Sequence, residues 1–129
     1  MAEKDTKKTP AKKGKKILIV EDERPLAHAL ELKFSHEGYD VTIATDGAEG
    51  LKMANAEKFN MILLDLIMPE MDGFTFMEQL KKKTPIIILS NLGQEEDKER
   101  AKKLGAVDYF VKSNTPIVEI IKKVKASIK

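Results

Sequence analysis

The stretch Met61-Ile62-Leu63-Leu64-Asp65-Leu66-Ile67-Met68-Pro69 limits the possible folds more than any other. Four apolar residues run straight into one aspartate, and a proline ends the run soon after. A short continuous apolar run closed by a turn signal reads as a strand buried on both faces. Such strands belong to parallel sheets covered by helices, and Asp65 then lies where the strand leaves the sheet. Ligands of open parallel α/β sheets bind at the carboxyl ends of the strands. A carboxylate there has two readings, a functional group or the cap of the next turn.

The same pattern recurs along the chain. Ile17-Leu18-Ile19-Val20 ends in Glu21-Asp22-Glu23. Pro25 suits a first helical turn, Leu26, Leu30 and Phe34 share one helical face, and Gly38 closes that helix. Val41–Ala44 is a short strand. Asp46 with Glu49 predicts a capping box for a helix burying Ala48, Leu51 and Ala54. The Asp65 strand and a loop over 69–73 follow, with Asp72 a turn residue opening a helix that places Phe76, Met77 and Leu80 inward. Pro85 precedes the strand Ile86–Ser90. Residues 94–104 predict a polar helix anchored by Ala101 and Leu104 alone. Residues 107–112 make a fifth strand. Thr115-Pro116 pairs a capping side chain with a proline at the first helical position, and Ile117, Ile120, Ile121, Val124 and Ile128 form the last apolar stripe. Strand then helix, repeated in this way, means a parallel sheet with helices on both faces and right-handed crossovers.

The 129 residues suffice for one compact domain. No apolar run approaches the roughly 18 residues that span a bilayer, and the N-terminus lacks the apolar core of a secretory signal. Without cysteine there are no disulfides and no thiolate metal sites, which fits a reducing cytoplasm. His28 and His36 fall in one helix and read as ordinary helix residues. Charge is segregated. Residues 1–16 carry seven lysines against Glu3 and Asp5, a net +5, leaving 16 basic and 19 acidic groups, a net −3, in residues 17–129. The first 15 residues are expected to be a disordered, solubilising lysine-rich tail ahead of a domain over 16–129. Nucleic acid, an acidic partner or anionic lipid would be drawn to it.

Glu21 and Asp22, Asp65, Ser90 and Lys112 each fall at the carboxyl end of a predicted strand, so one sheet edge gathers them. Clustered carboxylates repel unless a cation sits among them. An all-oxygen ligand set selects Mg²⁺, or Mn²⁺, over zinc or copper. Lys112 supplies a point charge and Ser90 a hydroxyl, both suited to a phosphoryl group, with Asp65 the natural nucleophile for an acyl phosphate.

In these residues, with Asp65-Leu-Ile-Met-Pro-Glu-Met-Asp-Gly in order and at the family's approximate spacing, the chain resembles the receiver domain of bacterial two-component response regulators over about residues 16–128. The likeness is to the stand-alone, chemotaxis-regulator type. The resemblance implies a flavodoxin-like, doubly wound (βα)5 fold with strand order 2-1-3-4-5. It implies a signalling protein, not an enzyme acting on an external substrate. Asp65 would take phosphoryl from a sensor histidine kinase or phosphotransfer protein. Asp22, Asp65 and the Ile67 carbonyl would bind Mg²⁺, and Glu21 would act mostly through water. Lys112 would pair with Asp65 and then the phosphate, Ser90 would swing to the phosphate, and Tyr109 would change rotamer with it. The altered surface would comprise the fourth helix, fifth strand and fifth helix, read by a downstream protein the sequence does not name. Side chains at Ile67 and Leu92 would flank the path of hydrolytic water, and as apolar groups would slow loss of the phosphoryl.

Three positions depart from the family pattern: Ser113 where proline, often after a cis bond, is usual; Ser90 for the commoner threonine; and Asn91 where a small residue is usual, narrowing access to the phosphate. A non-proline cis bond costs ~2.5–4 kcal/mol, so the loop aiming Lys112 is expected to differ. A Mg²⁺-dependent phosphatase of the haloacid-dehalogenase type also uses a strand-end aspartate. It needs a second acid two residues on, where this chain has Ile67, which moves no proton. A degenerate receiver would lack an acid, the hydroxyl or the lysine, and none is missing. Nucleic-acid binding has no basic groove or aromatic platform to rest on in the domain, only the tail.

Overall fold

The computed structural model describes residues 14–128. The expectation of a disordered tail falls mainly on residues 1–13, outside that range. Gly14 and Lys15 already engage the domain: the Gly14 N–H donates to the Gly38 carbonyl, and the Lys15 carbonyl accepts from Asp40.

Strands and helices alternate along the chain: β1 (Lys16–Val20), α1 (Arg24–His36), β2 (Asp40–Ala44), α2 (Gly47–Ala56), β3 (Met61–Leu64), α3 (Gly73–Gln79), β4 (Ile86–Ser90), α4 (Glu95–Lys103), β5 (Ala106–Val111) and α5 (Ile117–Ser127). All strand pairs are parallel, in the order β2-β1-β3-β4-β5. This is the flavodoxin-like order that the resemblance implies.

Side chains alternate faces along a strand, and the central strands feed two cores. Ile17, Ile19, Met61, Leu63, Ile87 and Leu89 meet Leu30 and Phe34 of α1 and Ile120 and Val124 of α5. Leu18, Val20, Ile62, Leu64 and Ile88 meet Ala54 of α2, Phe76 of α3 and Ala101 of α4. The uninterrupted apolar runs are strands with a core on each side.

Local chemistry sets the starts of α2 and α3. Asp46 caps α2, its Oδ1 accepting the Glu49 N–H at 2.8 Å, and Asp72 caps α3 the same way toward Thr75 at 2.9 Å. The C-terminal side differs from expectation. Val107 is the extra residue of a bulge: Ile86 pairs with Ala106 and Ile87 with Asp108, which leaves Val107 exposed. Lys112 lies outside β5, opening a 3-10 turn over Lys112–Asn114. Thr115 does not cap α5. Its Oγ1 donates back to the Val111 carbonyl at 2.9 Å, and Pro116 takes the cap position.

Candidate functional site

The carboxyl ends of β1, β3 and β4 meet the 3-10 turn at one edge of the sheet. Asp65 is the residue after β3, buried, with its backbone N–H on the Val20 carbonyl at 3.0 Å. Gly73 allows the start of α3 to press against that end. A Cβ there would lie 2.7 Å from the Asp65 carbonyl oxygen, closer than real Cβ atoms come. The backbone that carries Asp65 is therefore held from both sides.

Lys112 Nζ lies 2.9 Å from Asp65 Oδ2, 3.0 Å from Glu21 Oε2 and 3.2 Å from Glu23 Oε2. Asp65 Oδ1 accepts the Ile67 N–H at 3.1 Å. The aspartate thus has one oxygen on the ammonium and the other on backbone. Glu21 is buried with its Oε2 also accepting the Glu23 N–H at 2.9 Å. Burial pushes its carboxyl up to about 7. The Asp65 charge adds to the rise, and the hydrogen bonds from Glu23 and Lys112 oppose it. For Lys112 burial alone would push the ammonium down, but hydrogen bonds to Asp65 and Glu21 and their charges reverse this and raise it well above its ordinary value. The lysine stays charged at every physiological pH.

Glu21, Asp22 and Asp65 each place a carboxylate oxygen within 4.8 Å of the others. A hard divalent cation fits such a set: the donors are all oxygen, and two of the three acids are buried where their repulsion is poorly screened. Neither histidine belongs to a group of this kind among the described residues.

Ser90 ends β4 fully buried. Its Oγ accepts the Leu92 N–H at 3.4 Å, and the Tyr109 hydroxyl donates to the Leu92 carbonyl. Leu92 is therefore a backbone junction between the hydroxyl residue and the aromatic. Burial pushes the Tyr109 phenol up to about 12, with the charges of Asp97 and Asp65 adding to the shift. Ile67 is 54% exposed at the rim of the site, and Leu92 is half-buried.

The geometry gathers Glu21, Asp22, Asp65 and Lys112 into one cluster and sets Ser90 and Tyr109 beside it through Leu92. One participant, Glu23, and one role, that of the Leu92 backbone, lay beyond sequence reasoning. Glu23 ends the acidic run and enters the lysine network across 89 residues of chain. Leu92 acts through backbone atoms, which no side-chain pattern reports.

The family model for the response regulator receiver domain matches residues 17–125. The chain is 40% identical over 116 residues to response regulator ArlR of Staphylococcus saprophyticus, covering 88% of this chain and 52% of that protein. It is 39% identical over 119 residues to the alkaline phosphatase synthesis transcriptional regulatory protein PhoP of Bacillus subtilis, covering 90% and 49%. Among solved structures, the receiver domain of the Francisella response regulator 1452 superposes with a TM-score of 0.81 at 35% identity, covering 88% of this chain and 95% of that one. Vibrio cholerae chemotaxis protein CheY4 gives 0.81 at 28% identity, covering 89% and 99%. The chain belongs to the receiver-domain family of two-component response regulators. It spans about half the length of the curated relatives it matches. The dehalogenase-type alternative finds no support in these likenesses.

Proposed function

We propose that this receiver domain takes a phosphoryl group onto Asp65 from a phosphohistidine on a sensor kinase or phosphotransfer protein, in the cytoplasm. One observation carries the reading: a buried, strand-end carboxylate hydrogen-bonded to a buried ammonium beside two further acids. An Asp65 oxygen attacks phosphorus, the O–P bond forms as the P–N bond breaks, and the imidazole keeps the electron pair. Lys112, already 2.9 Å from Asp65, neutralises charge on the incoming oxygens without having to be recruited, the kind of preorganisation that lowers such barriers. Glu21, Asp22, Asp65 and the Ile67 carbonyl would hold Mg²⁺, or Mn²⁺ in its place. The bound cation would neutralise charge on the transferring group. Catalysis of this kind is confined to the domain's own modification.

The Ser90 hydroxyl then turns to donate to the phosphoryl group. That movement gives up the Leu92 N–H, and Leu92 is where Tyr109 is bonded, so the α4–β5 side registers the change for a downstream protein. No helix among the described residues is long and apolar enough to cross a membrane. Any contact with nucleic acid would fall to the lysine-rich N-terminal residues rather than to the domain.

Incubation with phosphoramidate or acetyl phosphate and Mg²⁺ should add one phosphoryl mass to the intact protein and none to Asp65→Asn. Equal acid- and base-labile modification of the variant would overturn the assignment. Apolar Ile67 and Leu92 leave hydrolytic water without an orienting group. The phosphorylated wild type should therefore decay more slowly than an Ile67→Asn/Leu92→Glu double variant.

A further inference from the structure

The turn that carries Lys112 is weakly held from within. Its closing hydrogen bond, Thr115 N–H to the Lys112 carbonyl, is 3.5 Å long, and Ser113 and Asn114 are exposed. An exposed turn of three residues with one poor internal bond should let its first side chain wander. Yet Lys112 makes three contacts of 2.9–3.2 Å.

Two braces come from outside the turn. One is the Thr115 hydroxyl on the Val111 carbonyl. The other crosses between loops: Ser113 N–H donates to Asn91 Oδ1 at 3.1 Å. A backbone N–H only donates, so the amide oxygen, not the nitrogen, faces it. The contact needs both residues as they stand. A small apolar side chain at 91 would offer no acceptor, and a proline at 113 no donor. Asn91 also directly follows Ser90, so one side chain joins the hydroxyl-bearing loop to the lysine-bearing turn.

We propose that Asn91 is a positioning residue that clamps the Lys112 turn to the Ser90 loop through the Ser113 N–H, so that ammonium and hydroxyl are presented to the phosphoryl group as one unit. The inference rests on the phosphoacceptor reading above. The Asn91 side chain bonds the Ser113 backbone rather than Asp65. Its effect passes through backbone, and it should alter the transfer rate while leaving the carboxylate cluster itself intact.

The test is a double-mutant cycle on phosphorylation by phosphoramidate at saturating Mg²⁺. Asn91→Ala and Ser113→Pro should each slow transfer by about three- to tenfold, the range open to one ordinary hydrogen bond. The double variant should be no slower than the slower single one, because both remove the same contact. Mg²⁺ affinity should stay within about twofold, a readout that general loosening of the site would move. Transfer at wild-type rate in Asn91→Ala, or losses that multiply in the double variant, would overturn the proposal. Amide hydrogen exchange at Ser113 gives a second readout independent of phosphorylation. It should quicken in Asn91→Ala, and unchanged exchange would overturn the clamp. If the wild type takes no phosphoryl group, the functional reading fails while the exchange experiment still decides the clamp.

Discussion

The centre of the sheet and its α4–β5 flank are built to different standards. In β1, β3 and β4 nearly every residue is buried, and α3 buries four of its seven residues. In β5 most residues are only half-buried, and α4 buries Ala101 alone among nine. Asp65 sits at the end of a strand clamped between two others, whereas Tyr109 sits on the loose flank. Phosphoryl transfer needs atoms held in fixed geometry. A readout needs an element whose alternative arrangement costs little. Under the proposed function the two demands fall on different parts of one small fold.

The flank is less loose than its composition suggests. Arg100 of α4 lies over the Phe74 ring, 4.1 Å from its centroid, and 3.6 Å from Glu78 of α3. Sequence patterning offered Ala101 and Leu104 as the only anchors, and this third one joins α4 to α3 through a charged side chain. It holds by cation–π attraction and by the packing of its apolar stem, forces that yield more readily than a filled core.

Four measurements would break or sharpen this contrast. Phe34→Ala at the fully buried centre should cost about 3–5 kcal/mol in denaturant unfolding, against about 1 kcal/mol for Leu104→Ala, which removes a side chain only half out of water. Similar losses at the two sites would abolish the distinction. Next in size is Lys112→Met in metal-free buffer. It leaves Glu21 and Asp65 buried without their counter-charge, a loss of about 3 kcal/mol. This sits at the lower end for a broken buried pair, because Glu21 can take up a proton. Millimolar Mg²⁺ should recover part of the loss, and a variant indifferent to Mg²⁺ would speak against a cation among the acids. Arg100→Ala should cost only about 0.5–1 kcal/mol while speeding amide exchange in α4 more than in β3. Uniform acceleration would show that α4 is no separate unit.

The smallest effect lies in the tyrosines. Tyr39 and Tyr109 are the only two in the chain, which has no tryptophan, so phenolate absorbance reports them cleanly. Both are raised above 10, by burial first, with the Glu37 charge adding at Tyr39. A raised folded value means that the native state keeps the proton longer. The associated stability is therefore intact below pH 10 and is lost as pH climbs through the folded values, about 12 for Tyr109. Phenolate should accordingly appear later in native protein than in protein unfolded by denaturant. Coincident titration curves would contradict the burial of both rings.

Most of the architecture was legible because it is written in local patterns. Uninterrupted apolar runs named the central strands, period-four stripes named α1 and α5, and Asp46 and Asp72 announced the helices they cap. The positions of Glu21, Asp22, Asp65 and Ser90 followed, since each directly succeeds or ends such a run and parallel strands bring their carboxyl ends to one edge. The failures came where a residue found a partner other than the one its local pattern offered. Thr115, expected to cap α5, bonds the Val111 carbonyl instead. Val107 looked like an ordinary strand residue, and its displacement into a bulge depends on how β5 meets β4.

By itself the sequence determined the βα alternation, the two-sided burial of the central strands and the set of groups at one sheet edge, because each follows from side-chain periodicity within a few residues. Only the tertiary structure decided that Lys112 leaves the strand for a turn, that Glu23 joins its network, that Arg100 stacks on Phe74 and that Asn91 meets Ser113. Those contacts join residues 22 to 91 positions apart, or 26 for Arg100 and Phe74. A hydrogen bond or an ion pair forms only within about 3 Å and in the right direction. No periodicity encodes an approach of that accuracy between distant loops. It is fixed when the two cores pack and the strand ends come to rest against one another.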